Sequence, residues 1–230
     1  MIKNKFLLFL FFIGTFYITK AGNTPIQIVF QLNYGNELLQ INETNSGFID
    51  SNQIYIEALK FYISKIRFLK NGKIVMVEAN SFHLVDAASK NTLKILIDTI
   101  ARLEFDVLEF QLGIDSATNV SGAMGGDLDP TKGMYWTWQS GYINFKLEGR
   151  SALCKTKNNA FQFHLGGYQH PNDALQKLTF PIDNREEILL RLDLKKLIKE
   201  IDLSKTNHIM SPSEEAVLIS NKIAKAFSVK

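Results

Sequence analysis

The chain has 230 residues, with 26 Lys and Arg against 23 Asp and Glu, and a single cysteine. The cationic excess belongs to residues 1–21, which hold Lys3, Lys5 and Lys20 and no acid, so the remainder balances at 23 against 23. That balance gives no electrostatic case for nucleic acid or an anionic membrane, and one thiol excludes an internal disulfide.

The opening "MIKNKFLLFLFFIGTFYITKAG" has a basic front, an apolar run from Phe6 to Ile18, and Thr19 and Ala21 at −3 and −1 of a cleavage point. This is the layout of a secretory signal peptide cut after Ala21. The apolar run is shorter than the roughly 20 residues that span a bilayer. No cysteine stands beside the cut for lipid attachment. The expectation is a periplasmic or secreted protein of one domain, residues 22–230, with no stable membrane insertion after cleavage.

Beyond the leader the dominant period is two, the mark of strands. "IQIVFQLNY" (26–34) alternates apolar with mostly polar residues, and "IYIEALKFYISKIRFLK" (54–70) is a long β-branched and aromatic run. "NGK" at 71–73 is a hairpin turn signal returning into "IVMVEA". "SFHLVD", "TLKILI", "RLEFDVLEFQLGI", "YINFKLEG", "AFQFHLGG" and "LQKLTF" continue the strands, and "ILLRLDLKKLI" (188–198) alternates first and then turns helical. At 213–226 Ser213 is placed to cap an amphipathic helix. The pattern predicts an all-β fold: a single antiparallel β-sandwich, immunoglobulin-like or Greek key, with a C-terminal α-helix.

The longest stretch without periodicity, 115–135, leads directly into Trp136 and Trp138, the only tryptophans in the chain. Its glycines, serines, proline and aspartates predict an irregular loop, functional or mobile, and the first site of proteolysis unless bound metal orders it. Two residues apart on a strand, the indoles would share a side. Trp136 is then the more accessible and Trp138 the likelier core residue.

"RFLKNGK", "FHLVDAASKNTLKI", "FQLGIDSATNVSGAMGGDLDPTKGMYWTWQSGYINFKLEG" and "FQFHLGG", in this order, resemble the MbnP-like copper-binding domain family from about Gln27 onward. The resemblance implies a periplasmic copper protein, Cu(I) or Cu(II), associated with a di-haem peroxidase-like partner that oxidises a tryptophan to kynurenine. It makes Trp136 and Trp138 the modifiable aromatic segment. Methanotroph-type members carry a histidine in the loop ahead of the tryptophans, where this chain has "TNVSG" at 118–122, and cysteine pairs where it has only Cys154.

Four metal-ligand candidates follow. His164 matches the family's "HLG" histidine and faces away from Phe161 and Phe163 on a regular strand. His83 in "SFHLVD" could replace the missing loop histidine. His208 and Met210 would project together from an extended segment, pairing imidazole with thioether, donors that suit Cu(I). His170 in a turn is expected to face solvent. Met134 is read as a packing residue, Asp115, Asp127 and Asp129 as turn caps rather than calcium ligands, and Cys154 as buried and inert. No nucleophile–base motif, metalloprotease motif or phosphate loop is present, so the expected role is non-enzymatic. The alternative is a module without metal that recognises a partner protein or small ligand through the Trp136/Trp138 loop. A secreted enzyme with a site outside these motifs is a third reading.

Overall fold

The computed structural model describes residues 25–39, 41, 54–99 and 103–230; the predicted signal peptide lies outside the described residues. The first half of the chain forms β1 (Ile26–Tyr34), β2 (Glu37–Leu38), β3 (Tyr55–Lys70), β4 (Lys73–Val77), β5 (Phe82–Asp86), β6 (Lys94–Ile97) and β7 (Val107–Leu112). A short α1 (Ser116–Val120) leads to β8 (Tyr135–Trp136), β9 (Gly141–Arg150), β10 (Ala160–Gly166), β11 (Gln176–Pro181) and β12 (Glu187–Asp193). The end of the chain adds α2 (Leu194–Lys199), β13 (His208–Ile209), α3 (Glu214–Ala226) and β14 (Phe227–Val229).

Two sheets result. The smaller runs β14-β12-β1-β2, with β6 also on β1, and the larger runs β11-β7-β3-β9-β10-β13, with β4 and β5 on β3 and β8 on β9. The all-β fold and the C-terminal helix are as the sequence predicts. The sheets, however, are mixed, because β1–β12 and β10–β13 pair in parallel. A two-residue period sets which face is apolar and is silent about strand direction.

The alternation explains the layers. Ile28, Phe30 and Leu32 of β1 and Leu190 and Leu192 of β12 turn one face toward Phe61, Phe145, Phe161 and Phe163 of the large sheet, all within one buried cluster. Phe61 stands at its centre, with ring centroids 5.6 Å from Phe30, 5.7 Å from Phe145 and 5.7 Å from Phe227. Helix α3 closes the end. Ser213 caps it by accepting from Ala216 N, and Ala216, Ile219 and Ile223 are buried in the core.

β3 is long enough to serve several partners. It pairs with β9 over Tyr55–Phe61 and with β7 over Ile63–Leu69, and the β7 register shifts between Ser64 and Arg67 around Lys65, whose φ is 54°. Asn71 and Gly72, at φ 49° and 75°, make the predicted hairpin into β4.

On the face of the large sheet turned away from this core lies a second, smaller cluster: Tyr62, Leu84, Ile114, Leu128, Met134, Trp136, Tyr142 and Ile143. The segment 115–135, expected to be an irregular loop, supplies part of this cluster. The segment holds α1 and two 3-10 turns, at Gly126–Leu128 and Pro130–Lys132. Leu128 and Met134 are its apolar plugs. Asp127 ties it down, its carboxylate accepting from Leu84 N at 3.0 Å while its carbonyl accepts from Tyr62 Oη at 3.0 Å. Burial pushes the Tyr62 hydroxyl well above its ordinary value, which keeps it a donor.

Candidate metal site on the outer face of the large sheet

β10 sends Phe161, Phe163 and Leu165 into the core, so Gln162, His164 and Gly166 face outward. His164 is nonetheless only 7% exposed. Its Nε2 lies 2.6 Å from Glu148 Oε1 on β9, a diagonal neighbour, since Glu148 pairs with Gln162 and Lys146 with His164. Lys146 Nζ stands 3.5 Å from the same oxygen. The hydrogen bond from His164, outweighing burial and helped by Lys146, holds the Glu148 carboxyl below its ordinary range.

β13 brings in two more predicted residues. His208 pairs with Gln162 and Ile209 with Phe163, in parallel. His208 is therefore on the His164 face, exposed, one diagonal step away. β13 ends at Ile209, and the half-buried Met210 follows it directly.

Trp136 completes the group. A Cβ on Gly166 would meet Trp136 Cζ3 at 2.7 Å, so the indole covers the strand two residues beyond His164, on the side that His164 faces. Trp136 is 6% exposed, and its Nε1 is buried with no hydrogen-bond partner among the described residues. The expected roles of the two tryptophans are reversed: Trp136 is buried and Trp138 is 66% exposed. β8 ends at Trp136, and Trp138 sits in the turn before β9 rather than on a strand. The rings still meet, with centroids 6.0 Å apart and planes at 48°.

His83 is not brought to this group. One rung of the sheet runs His164–Lys146–Lys60–Asp86 across β10, β9, β3 and β5. Three strand spacings separate β5 from β10, about 14 Å. His83 is three residues from Asp86 and so faces the other way, alongside the buried Val85. Its Nε2 is held 2.8 Å from Glu78 Oε2. His170 is exposed.

The remaining candidates are structural. Asp115 caps α1 by accepting from Thr118 N, and Asp129 caps a 3-10 turn by accepting from Thr131 N. Met134 is fully buried in the second cluster. Cys154 is buried in the main core, which raises its thiol pKa. At the "TNVSG" stretch Asn119 is a buried tie: its Nδ2 donates to Ile114 O and its Oδ1 accepts from Tyr142 N. Among the described residues no three His, Cys, Asp or Glu side chains are grouped to hold a metal. On this face the His208 imidazole and the Trp136 indole lie near His164, with the Met210 thioether just beyond the end of β13. Glu148 was not among the predicted residues. Its signal is weak in sequence, an acid at an outward-facing position of "YINFKLEG" whose partner appears only when β9 and β10 are paired.

A search of curated protein sequences returned no match. A solved structure, MbnP from Methylosinus trichosporium, superposes with a TM-score of 0.64 over 91% of this chain and 99% of that one, at 14% identity, a likeness of fold. The family model MbnP matches residues 23–211, most of the sequence and every outer-face residue just described. The chain therefore belongs to the MbnP family.

Proposed function

We propose that this protein is an exported, non-enzymatic copper binder that holds or delivers one copper ion on the outer face of its large sheet. His164 supplies the buried imidazole, His208 the second one, and Met210 a thioether. These neutral nitrogen and sulfur donors are the kind Cu(I) accepts. The observation that carries the reading is the placement of a buried imidazole and a buried indole on one strand face, two residues apart at His164 and Gly166.

Trp136 is the residue for oxidative modification. An indole N–H only donates, whereas kynurenine presents a carbonyl and an aromatic amine. A di-haem peroxidase-like partner is the oxidant that fits this reading, in the periplasm or outside the cell. Peptide mass spectrometry of native protein reads the change as one carbon exchanged for one oxygen. Retention of unmodified Trp136 in the partner's presence would remove this part of the reading.

Titration of the protein with Cu(I) against a competing chelator tests the site. His164→Ala is expected to weaken binding far more than His170→Ala, and equal affinities would sink the assignment. A second reading has one observation in its favour: Trp138, 66% exposed, is the kind of aromatic that a partner protein buries. A protein that binds no copper, and loses a partner on Trp138→Ala, would be such a module.

A further inference from the structure

The pairing of His164 with Glu148 has a consequence for which nitrogen meets the metal. We infer that Glu148 is a positioning residue that fixes the His164 ring so that Nδ1, not Nε2, is the ligating atom. The inference rests on the copper reading above.

An ionised carboxylate only accepts, so a ring nitrogen 2.6 Å from Glu148 Oε1 must carry the proton. In a neutral imidazole the other nitrogen, Nδ1, then holds the free lone pair. Lys146 is directly opposite His164 and stands 3.5 Å from the same oxygen, which restrains the carboxylate in this position. All three residues stand on regular strands of one sheet, and His164 is buried, so the ring orientation is set by packing as well as by the hydrogen bond. A carboxylate on the distal nitrogen is the arrangement that orients a ligating imidazole and raises its basicity. His83 shows that such a pair need not lie at the candidate site: its Nε2 is on Glu78, on the opposite face.

The tautomer can be read in the metal-free protein. Long-range proton–nitrogen spectra of the full mature chain report which ring nitrogen carries the proton. His164 is expected in the Nε2–H form. Silver(I), a closed-shell probe in place of Cu(I), is then expected to shift Nδ1 of His164. Glu148→Gln, whose amide can accept or donate, should mix the tautomers and lower silver affinity by about 10- to 100-fold. Glu148→Asp should restore much of both.

An Nδ1–H tautomer in the parent protein, or silver on Nε2, would overturn the role of Glu148 and leave the metal reading standing. So would Glu148→Gln with tautomer and affinity unchanged. Silver that leaves His164 unshifted in a protein showing Nε2–H would instead remove the metal reading, and the role of Glu148 with it.

Discussion

The indole of Trp136 fits against the strand only because residue 166 is glycine. A Cβ there would stand 2.7 Å from Trp136 Cζ3 and 2.6 Å from the carbonyl oxygen of Tyr142. Backbone on one side and a buried ring on the other leave little room to relax. Gly166→Ala is expected to destabilise the protein by about 1–3 kcal/mol. It should also displace the indole, giving a red-shifted emission in a Trp138→Phe background. Unchanged stability and emission would mean that the ring is not seated there.

The two tryptophans should be separable by solvent access. Trp138→Phe leaves the buried indole, with blue-shifted emission and weak acrylamide quenching, and Trp136→Phe leaves the exposed one, readily quenched. The opposite assignment would put Trp138 in the second cluster.

Asp127 should control the segment that precedes them. Its carboxylate accepts from Leu84 N and pairs with Lys132 Nζ at 2.6 Å. Asp127→Ala strands the buried amide, costing about 1–3 kcal/mol, and releases Lys132. Trypsin is expected to spare Lys132 in the parent protein and to cut there early in the variant. Early cutting in both would show that the segment is not tied down by Asp127.

Glu109 supplies a pH dependence. Its carboxyl is buried between Arg67 and Lys177. Burial opposes its ionisation, but hydrogen bonds from Lys177 and Arg67 and their charges outweigh it and hold its pKa below the ordinary 4.5. A folded value below the unfolded one stabilises fully above the unfolded pKa, and that contribution is lost as pH falls through the folded value. Urea unfolding across pH should therefore show Glu109→Gln less stable than the parent at neutral pH, with the gap closing below pH 4.5. A gap that stays constant would mean that the carboxylate charge is not involved.

Much of this molecule can be read from period and punctuation. The bounds of β1 match the "IQIVFQLNY" alternation, the switch from strand to helix after Asp193 follows the change of period, and Ser213 caps α3. The same alternation put His164 outside the core. What it could not show is what depends on pairing. The parallel partners of β1 and β10, the separation of His83 from His164, and the Glu148–His164 contact are all set by which strands lie side by side. The tryptophan pair departs from expectation for a local reason: on a strand Trp136 and Trp138 would share a side, but Thr137 to Ser140 form a turn, which turns Trp138 out to solvent.

The parallel pairing of β1 with β12 bears on the order of assembly. Gln27 lies opposite Glu187 and Asn33 opposite Asp193, so one long edge of the first strand finds its partner only after some 160 residues have followed. Closing so long an interval is entropically slow. During synthesis from the N-terminus, Ile28, Phe30 and Leu32 would wait, unpaired along that edge, for Leu190 and Leu192 to arrive. A chain truncated before residue 187 should thus fail as a whole rather than fold in part, and it would be a natural client for a chaperone that grips extended apolar strands.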